Sequence, residues 1–376
     1  MRAFVFTDKA LAKHAGQFVW LSIDTEKAKN APFVGKFPVR AWPSLYVIDP
    51  NKETVSLRWV GSANVGQLEK LFTEATHKAG GSAPGPAAAL ARADALYGQG
   101  RYEDAAKSYR EAMVSLSPKS PSYPRVTEAL LFTSSLLRRH TECVDLARET
   151  LPRLRGTISG ANVAASGLDC SLSLPEGKSG RARDVAAFEK AVRAALDEPK
   201  LGLASDDRSA MYGLLVSARE DAKDEPGAKS VAREWVADLD AEAARVKTPE
   251  QRTALDPNRL NAYEAAGEIA KAVPMLEISE RDFPEDYNPP ARLAHVFLKL
   301  KRLDEALKAN DRALARVYGP RKLRVLAVRT DIYEAMKNPA AVRRTLEDAV
   351  KFAEALPAGQ RSDSQIASLK KRLGTL

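Results

Sequence analysis

Sulfur, imidazole and aromatic rings are all scarce in this 376-residue chain, which has two cysteines, four histidines and 7% Phe, Trp and Tyr. Cys143 and Cys170 lie far apart and form no C-x-x-C pair, so the low-pKa thiolate that such a pair supplies at a helix end is missing. His14, His77, His140 and His295 are scattered without metal-ligand spacing. No metal and no cofactor is expected. Gly177-Lys178-Ser179 has Leu172 where a phosphate-binding loop needs its first glycine, and no strand precedes it, so it reads as an inter-helix loop. No serine sits in a nucleophile elbow and no acidic pair stands apart from the helical charge pattern, which leaves a hydrolase unsupported. No run of eighteen apolar residues occurs, so no helix is expected to span a membrane. As written, the N-terminus shows no signal peptide, and localisation is left open.

Charge is plentiful but mixed. The formal net charge is +9, yet Lys and Arg alternate with Asp and Glu nearly everywhere, the pattern of solvated helix faces. Positive charge gathers only in "RKLRVLAVR" and "SLKKRLGTL", and neither interleaves the aromatics that stack on bases, so nucleic acid is not an expected partner. Abundant alanine with few aromatics favours helices packed through small side chains. Each cysteine lies in a helical pattern among apolar neighbours. Two buried core residues or a disulfide between neighbouring helices would both fit, because sequence does not supply the geometry.

Residues 1 to about 79 alternate strand and helix signals. Lys9 to Ala15 reads as helix, Gln17 to Asp24 as a buried strand, and Glu26 to Phe37 as a short helix. Ser44 to Ile48 follows as a strand entered through Trp42-Pro43, then a turn at Pro50-Asn51-Lys52 and the alternating strand "TVSLRWVG". An amphipathic helix starts at Asn64, a good N-cap, with Leu68, Leu71 and Phe72 on one stripe. Residues 80–86, within "KAGGSAPGPAAA", read as a linker.

From residue 87 onward the pattern is helical hairpins. The clearest is "ALARADALYGQGRYEDAAKSYREAMVSLSP", with Ala93 and Leu96 on one helix, Gly100 at the turn, and Tyr102, Ala105, Tyr109 and Ala112 on the next. A second copy, "ARLAHVFLKLKRLDEALKANDRALARVYGP", places Ala294, Phe297 and Leu300 before Leu303, Ala306, Asn310, Ala313 and Leu314. Both resemble the tetratricopeptide repeat in their small residues, inner turn and closing proline. Weaker copies follow at Thr127–Leu151, Ala161–Leu196, Arg208–Val246, Arg259–Asp282, where Pro274 interrupts, and Lys322–Ala355. The expectation is six or seven pairs forming an all-α solenoid over 87–376, closed by a polar-faced capping helix at Ser364–Arg372. The resemblance implies a protein or peptide partner on the concave face. The Lys and Asn of the family's carboxylate clamp are replaced by Leu90 and Asp94 in one copy and by Ala291 and His295 in the other.

The stretches "FVWLSID", "VGKFPVRAWPSLYVIDPNKE" and "VGSANVGQLEKLFTEA" are similar to the greater part of a thioredoxin-fold domain after its first strand and helix. The resemblance implies an α/β domain at 1–79 and a cis bond at Pro43, with Trp42 and Pro43 offering their backbone to an extended peptide. The opening "MRAFVFTDKAL" resembles the portion after the second cysteine in bacterial thioredoxin-like proteins, which would put the first strand and the cysteine helix upstream of Met1. Without that strand, Phe18–Ile23 and Ser44–Ile48 are expected to keep unpaired inner edges. Two functions follow: a redox-inactive protein-interaction protein or, alternatively, a thiol–disulfide oxidoreductase with its dithiol upstream of a late-assigned start. The second would suit a periplasmic or exported protein.

Overall fold

Proline in a first turn and a left-handed residue just past a last turn bracket several of the helices in this chain. The computed structural model describes residues 4–78 and 85–375, so most of the expected linker lies outside the described residues. A short helix α1 (Ala31–Lys36) precedes strands β1 (Ser44–Asp49) and β2 (Thr54–Val60) and helix α2 (Val65–Lys78). Paired helices follow: α3 (Pro86–Gly98) with α4 (Tyr102–Ser115), α5 (Tyr123–Leu136) with α6 (His140–Leu154), and α7 (Ile158–Leu172) with α8 (Arg181–Leu196). Next come α9 (Ser205–Asp221) and α10 (Glu225–Ala243), α11 (Pro249–Ala266) and α12 (Ala272–Asp282), and α13 (Asn288–Lys299) and α14 (Leu303–Arg316). The series ends with α15 (Arg321–Ala335), α16 (Pro339–Glu354) and α17 (Asp363–Gly374). Helix dominates and the architecture is solenoid-like.

The inner turns share one device. Gly100 and Gly267 take positive φ, and so do Arg138, Lys223, Lys301 and Lys337 at equivalent turns. The next residue donates its N–H back into the helix, as Arg101 does to the Leu96 carbonyl and Arg302 to that of Phe297, both at 2.9 Å. This motif satisfies carbonyls that a helix end leaves open. A side chain there costs about 1 kcal/mol relative to glycine.

Two compact units divide the chain, Met1–Val19 with Pro38–Ala237 and Trp20–Phe37 with Asp238–Leu376. In the first, each helix from α3 to α8 packs on the next, and α7 also touches both α5 and α9. In the second, consecutive helices from α11 to α17 pack in the same way, with α13 against α15. Pro274 lies in the first turn of α12 and does not break it. Helix α17 has no fully buried residue and rests on α16 through Ile366 and Leu369.

Among the described residues the only sheet is the antiparallel pair β1–β2. Val47 faces Leu57 and Ile48 faces Val55, so Ser56 is an extra residue, a β-bulge. Leu57 enters a core with Leu11, Leu68, Leu71, Phe72 and Ala75 beneath α2, while Val55 lies against Gly98 of α3. Simple alternation would have placed both on one face. Asn64 caps α2 reciprocally with Gln67, each side chain accepting from the other's backbone N–H at 2.9 Å.

The expected strand Gln17–Asp24 is not one. The segment pairs with no strand among the described residues, and Val19, Trp20 and Leu21 are 88%, 51% and 72% exposed. A strand is held by pairing as well as composition, and here the chain passes from one compact unit to the other between Val19 and Trp20.

Candidate functional site

The Trp42–Pro43 peptide bond is cis and leads directly into β1. Its loop is fastened at several points: the Ser44 hydroxyl donates to the Ala41 carbonyl at 2.8 Å, and Tyr46 donates to that of Pro38 at 3.1 Å. Arg40 donates to the Tyr102 hydroxyl at 3.2 Å from above that ring. The Pro43 carbonyl accepts from Gly61 N–H at 2.9 Å. The indole of Trp42 is 59% exposed, and the outer edge of β1 has no strand beside it among the described residues. The loop therefore places a large, half-exposed aromatic next to a strand edge that is unpaired among the described residues.

Behind β1 and β2 lies a charged cluster that sequence reasoning missed. Arg58, only 3% exposed, points from β2 between the helices. Its Nε donates to the Tyr109 hydroxyl at 2.6 Å, and its Nη2 reaches the Ala129 carbonyl and the Thr133 hydroxyl at 3.3 Å. Its guanidinium lies 3.5 Å from the ring centre of Tyr97. Tyr109 in turn donates to Asp94 at 2.6 Å, and Arg125 bridges Asp94 at 2.8 Å and Glu74 at 2.9 Å.

Two guanidinium and two carboxylate groups from β2, α2, α3 and α5 thus meet through a tyrosine of α4. Burial alone would lower the pKa of Arg58, yet Tyr109, Tyr97 and Asp94 outweigh it and hold the group above its ordinary value. Burial raises the Tyr109 hydroxyl well above the ordinary range, so it stays a proton donor. Stripping one partner from such a cluster leaves an uncompensated buried charge, at a cost of about 3–5 kcal/mol. Two signals could have exposed it: Asp94 sits among Leu90, Ala93 and Tyr97 on a buried helical stripe, and Gly98 ends the helix beside it.

Helices α5 and α9 of the same unit carry acids. Asn162 donates to Glu128 at 2.9 Å, and Ser62 donates to Asp206 at 3.0 Å. Burial, then Asp206 and Glu128, push the Asp207 carboxyl up to about 7. Cys143 and Cys170 are fully buried and joined in a disulfide linking α6 to α7, with Cα atoms 6.2 Å apart. Of the two arrangements the sequence left open, both hold at once. By chain-entropy reasoning, closing a loop of 27 residues stabilises by about 3.5 kcal/mol.

The class is thus a helical-hairpin, solenoid-like protein that carries a small two-stranded sheet. No protein-family model matches the chain, nor does any curated sequence. Among solved structures it is similar to a tetratricopeptide repeat protein from Parabacteroides merdae, with 10% identity over 76% of this chain and 97% of that one, at a TM-score of 0.47. It is also similar to residues 1–338 of an assembly chaperone of RpL4, with 14% identity over 78% and 98% and a TM-score of 0.34.

Proposed function

We propose that this is a protein-interaction protein that receives an extended peptide along the outer edge of β1, with Trp42 and Pro43 at the head of the groove. The observation carrying the reading is the exposed indole of Trp42 beside a strand edge with no ladder partner among the described residues. Main-chain hydrogen bonds to such an edge give affinity, and a neighbouring aromatic selects the side chain. The thioredoxin-like reading of residues 1–79 belongs to this proposal, with the β1–β2–α2 order in its favour. The hairpins from residue 87 would supply the concave, tetratricopeptide-like surface for the remainder of the partner.

Thiol chemistry by the chain's own cysteines has no part in the proposal, because both sulfurs are buried and joined. A disulfide of this kind supports action in an oxidising compartment. The test is selection of extended peptides against the whole chain, followed by hydrogen exchange with the selected peptide bound. Slowed exchange at 44–49 with at least tenfold weaker binding by Trp42→Ala is expected. Protection confined to the helices, or unchanged binding by the variant, would reject the site.

A further inference from the structure

The second compact unit holds one of its own segments as a bound peptide would be held. Asp24 accepts from the Tyr318 hydroxyl at 2.7 Å, and Glu26 accepts from Arg321 at 2.8 Å and from the Tyr287 hydroxyl at 3.0 Å. The Gln360 amide nitrogen donates to the carbonyls of Thr25 at 2.8 Å and Lys27 at 3.2 Å. The backbone is approached closely from two sides. A Cβ on Gly319 would fall 2.0 Å from the Glu26 carbonyl oxygen, and one on Gly359 would fall 2.2 Å from that of Ala31. Paired contacts to alternate acidic side chains, main-chain carbonyls caught by an amide, and glycines that admit a backbone together make a peptide-recognition groove.

The segment does not use all that the groove offers. Beside it remains a recess of about 410 Å³ lined by Lys27, Tyr318, Phe352, Leu356, Pro357 and Gln360. The enclosed Gln360 Oε1 has no hydrogen-bond partner among the described residues, an arrangement that is costly when permanent. The segment is also anchored downstream, with Ala31 and Phe37 buried around α1. The polar part can therefore lift while α1 stays in place.

We propose that this groove, formed by Tyr287, Tyr318, Gly319, Arg321 and Gln360, is a docking site for an acidic Asp-x-Glu peptide of a protein partner, which the chain's own Asp24-Thr25-Glu26 occupies as a placeholder. It is separate from the Trp42–Pro43 edge and does not depend on it. The tethered segment acts at an effective concentration on the order of millimolar, so a free peptide meets a groove already filled. Weakening the tethered copy must open it.

The test measures fluorescence anisotropy of a labelled peptide of residues 22–31, SIDTEKAKNA, against the whole chain, with circular dichroism as the folding control. The Asp24→Asn/Glu26→Gln variant is expected to bind it at least tenfold more tightly than the unaltered chain. Adding Arg321→Gln should remove the gain, and a peptide with Asn and Gln at the two acidic positions should not bind. The milder Glu26→Gln variant should show a smaller gain of the same sign, which keeps the test decisive if the double variant folds poorly. Equal binding by all chains, or a gain that survives Arg321→Gln, would overturn the proposal. Displacement of the peptide only by more of the protein itself would make a second copy the occupant and would equally defeat it.

Discussion

The hairpins α3–α4 and α13–α14 follow one pattern yet serve different neighbours. Ala93, Ala105 and Ala112 correspond to Ala294, Ala306 and Ala313, all buried. Even the turn ion pairs match, Arg101 with Asp104 and Arg302 with Glu305. Among the positions where the copies part are Asp94 against His295, Gly98 against Lys299, and Tyr109 against Asn310. In the early hairpin those positions hold the sheet, with Asp94 and Tyr109 bonded into the Arg58 cluster and Gly98 admitting Val55. In the late one they face other helices: His295 and Lys299 both meet Glu264 of α11, and Asn310 donates to the Val325 carbonyl of α15. A repeat thus records what covers it in the places where it departs from its own pattern.

Breaking that difference should have its largest effect at the buried acid. Asp94→Ala leaves two guanidinium groups undercompensated and should cost about 3–5 kcal/mol, whereas His295→Ala at the matching, partly exposed position should cost under about 1 kcal/mol. Urea denaturation of both variants checks this. A second contrast is between well and poorly partnered carboxylates within one unit. Asp207 has its carboxyl raised to about 7, so the folded chain favours its protonated form, and stability falls as pH rises from about 4 to about 7. Asp207→Asn should therefore stabilise by roughly 2–4 kcal/mol at pH 8 and by almost nothing below pH 4, read as melting temperature against pH.

A smaller effect concerns close approach. In an ordinary helix, Gly→Ala gains about 1 kcal/mol, but a Cβ at Gly98 would lie 2.4 Å from Val55, so Gly98→Ala should instead lose about 1–3 kcal/mol through overpacking. Lys299→Ala should stay within about 0.5 kcal/mol of the parent. The smallest contrast is at the turns, where Lys301 and Gly100 both take positive φ. Lys301→Gly should gain about 1 kcal/mol and Gly100→Ala lose about as much, again by urea denaturation.

Much of the helical series was legible because its signals are local. The glycine at residue 100, the alanines at three- and four-residue spacing, and the closing prolines each act within one hairpin. The strands at Ser44 and Thr54 were legible for the same reason. Gln17–Asp24 misled because its strand-like composition carries no information about whether a partner strand is present. Arg58 was hidden differently: in "TVSLRWVG" it reads as the solvent face of an alternating strand, and only the docking of α3, α4 and α5 makes that face interior. The groove around Arg321 was invisible because it joins residues 24–27 to residues nearly three hundred positions away.

Through Arg58, Tyr109 and Asp94 the β1–β2 sheet should unfold with the helices from α3 to α5 as one cooperative piece. Native-state hydrogen exchange of the β2 amides in Asp94→Ala, against the parent chain, tests it most directly. Protection of β2 is expected to fall together with that of α3 and α5. Protection of β2 that stays at the parental level while α3 and α5 weaken would contradict it.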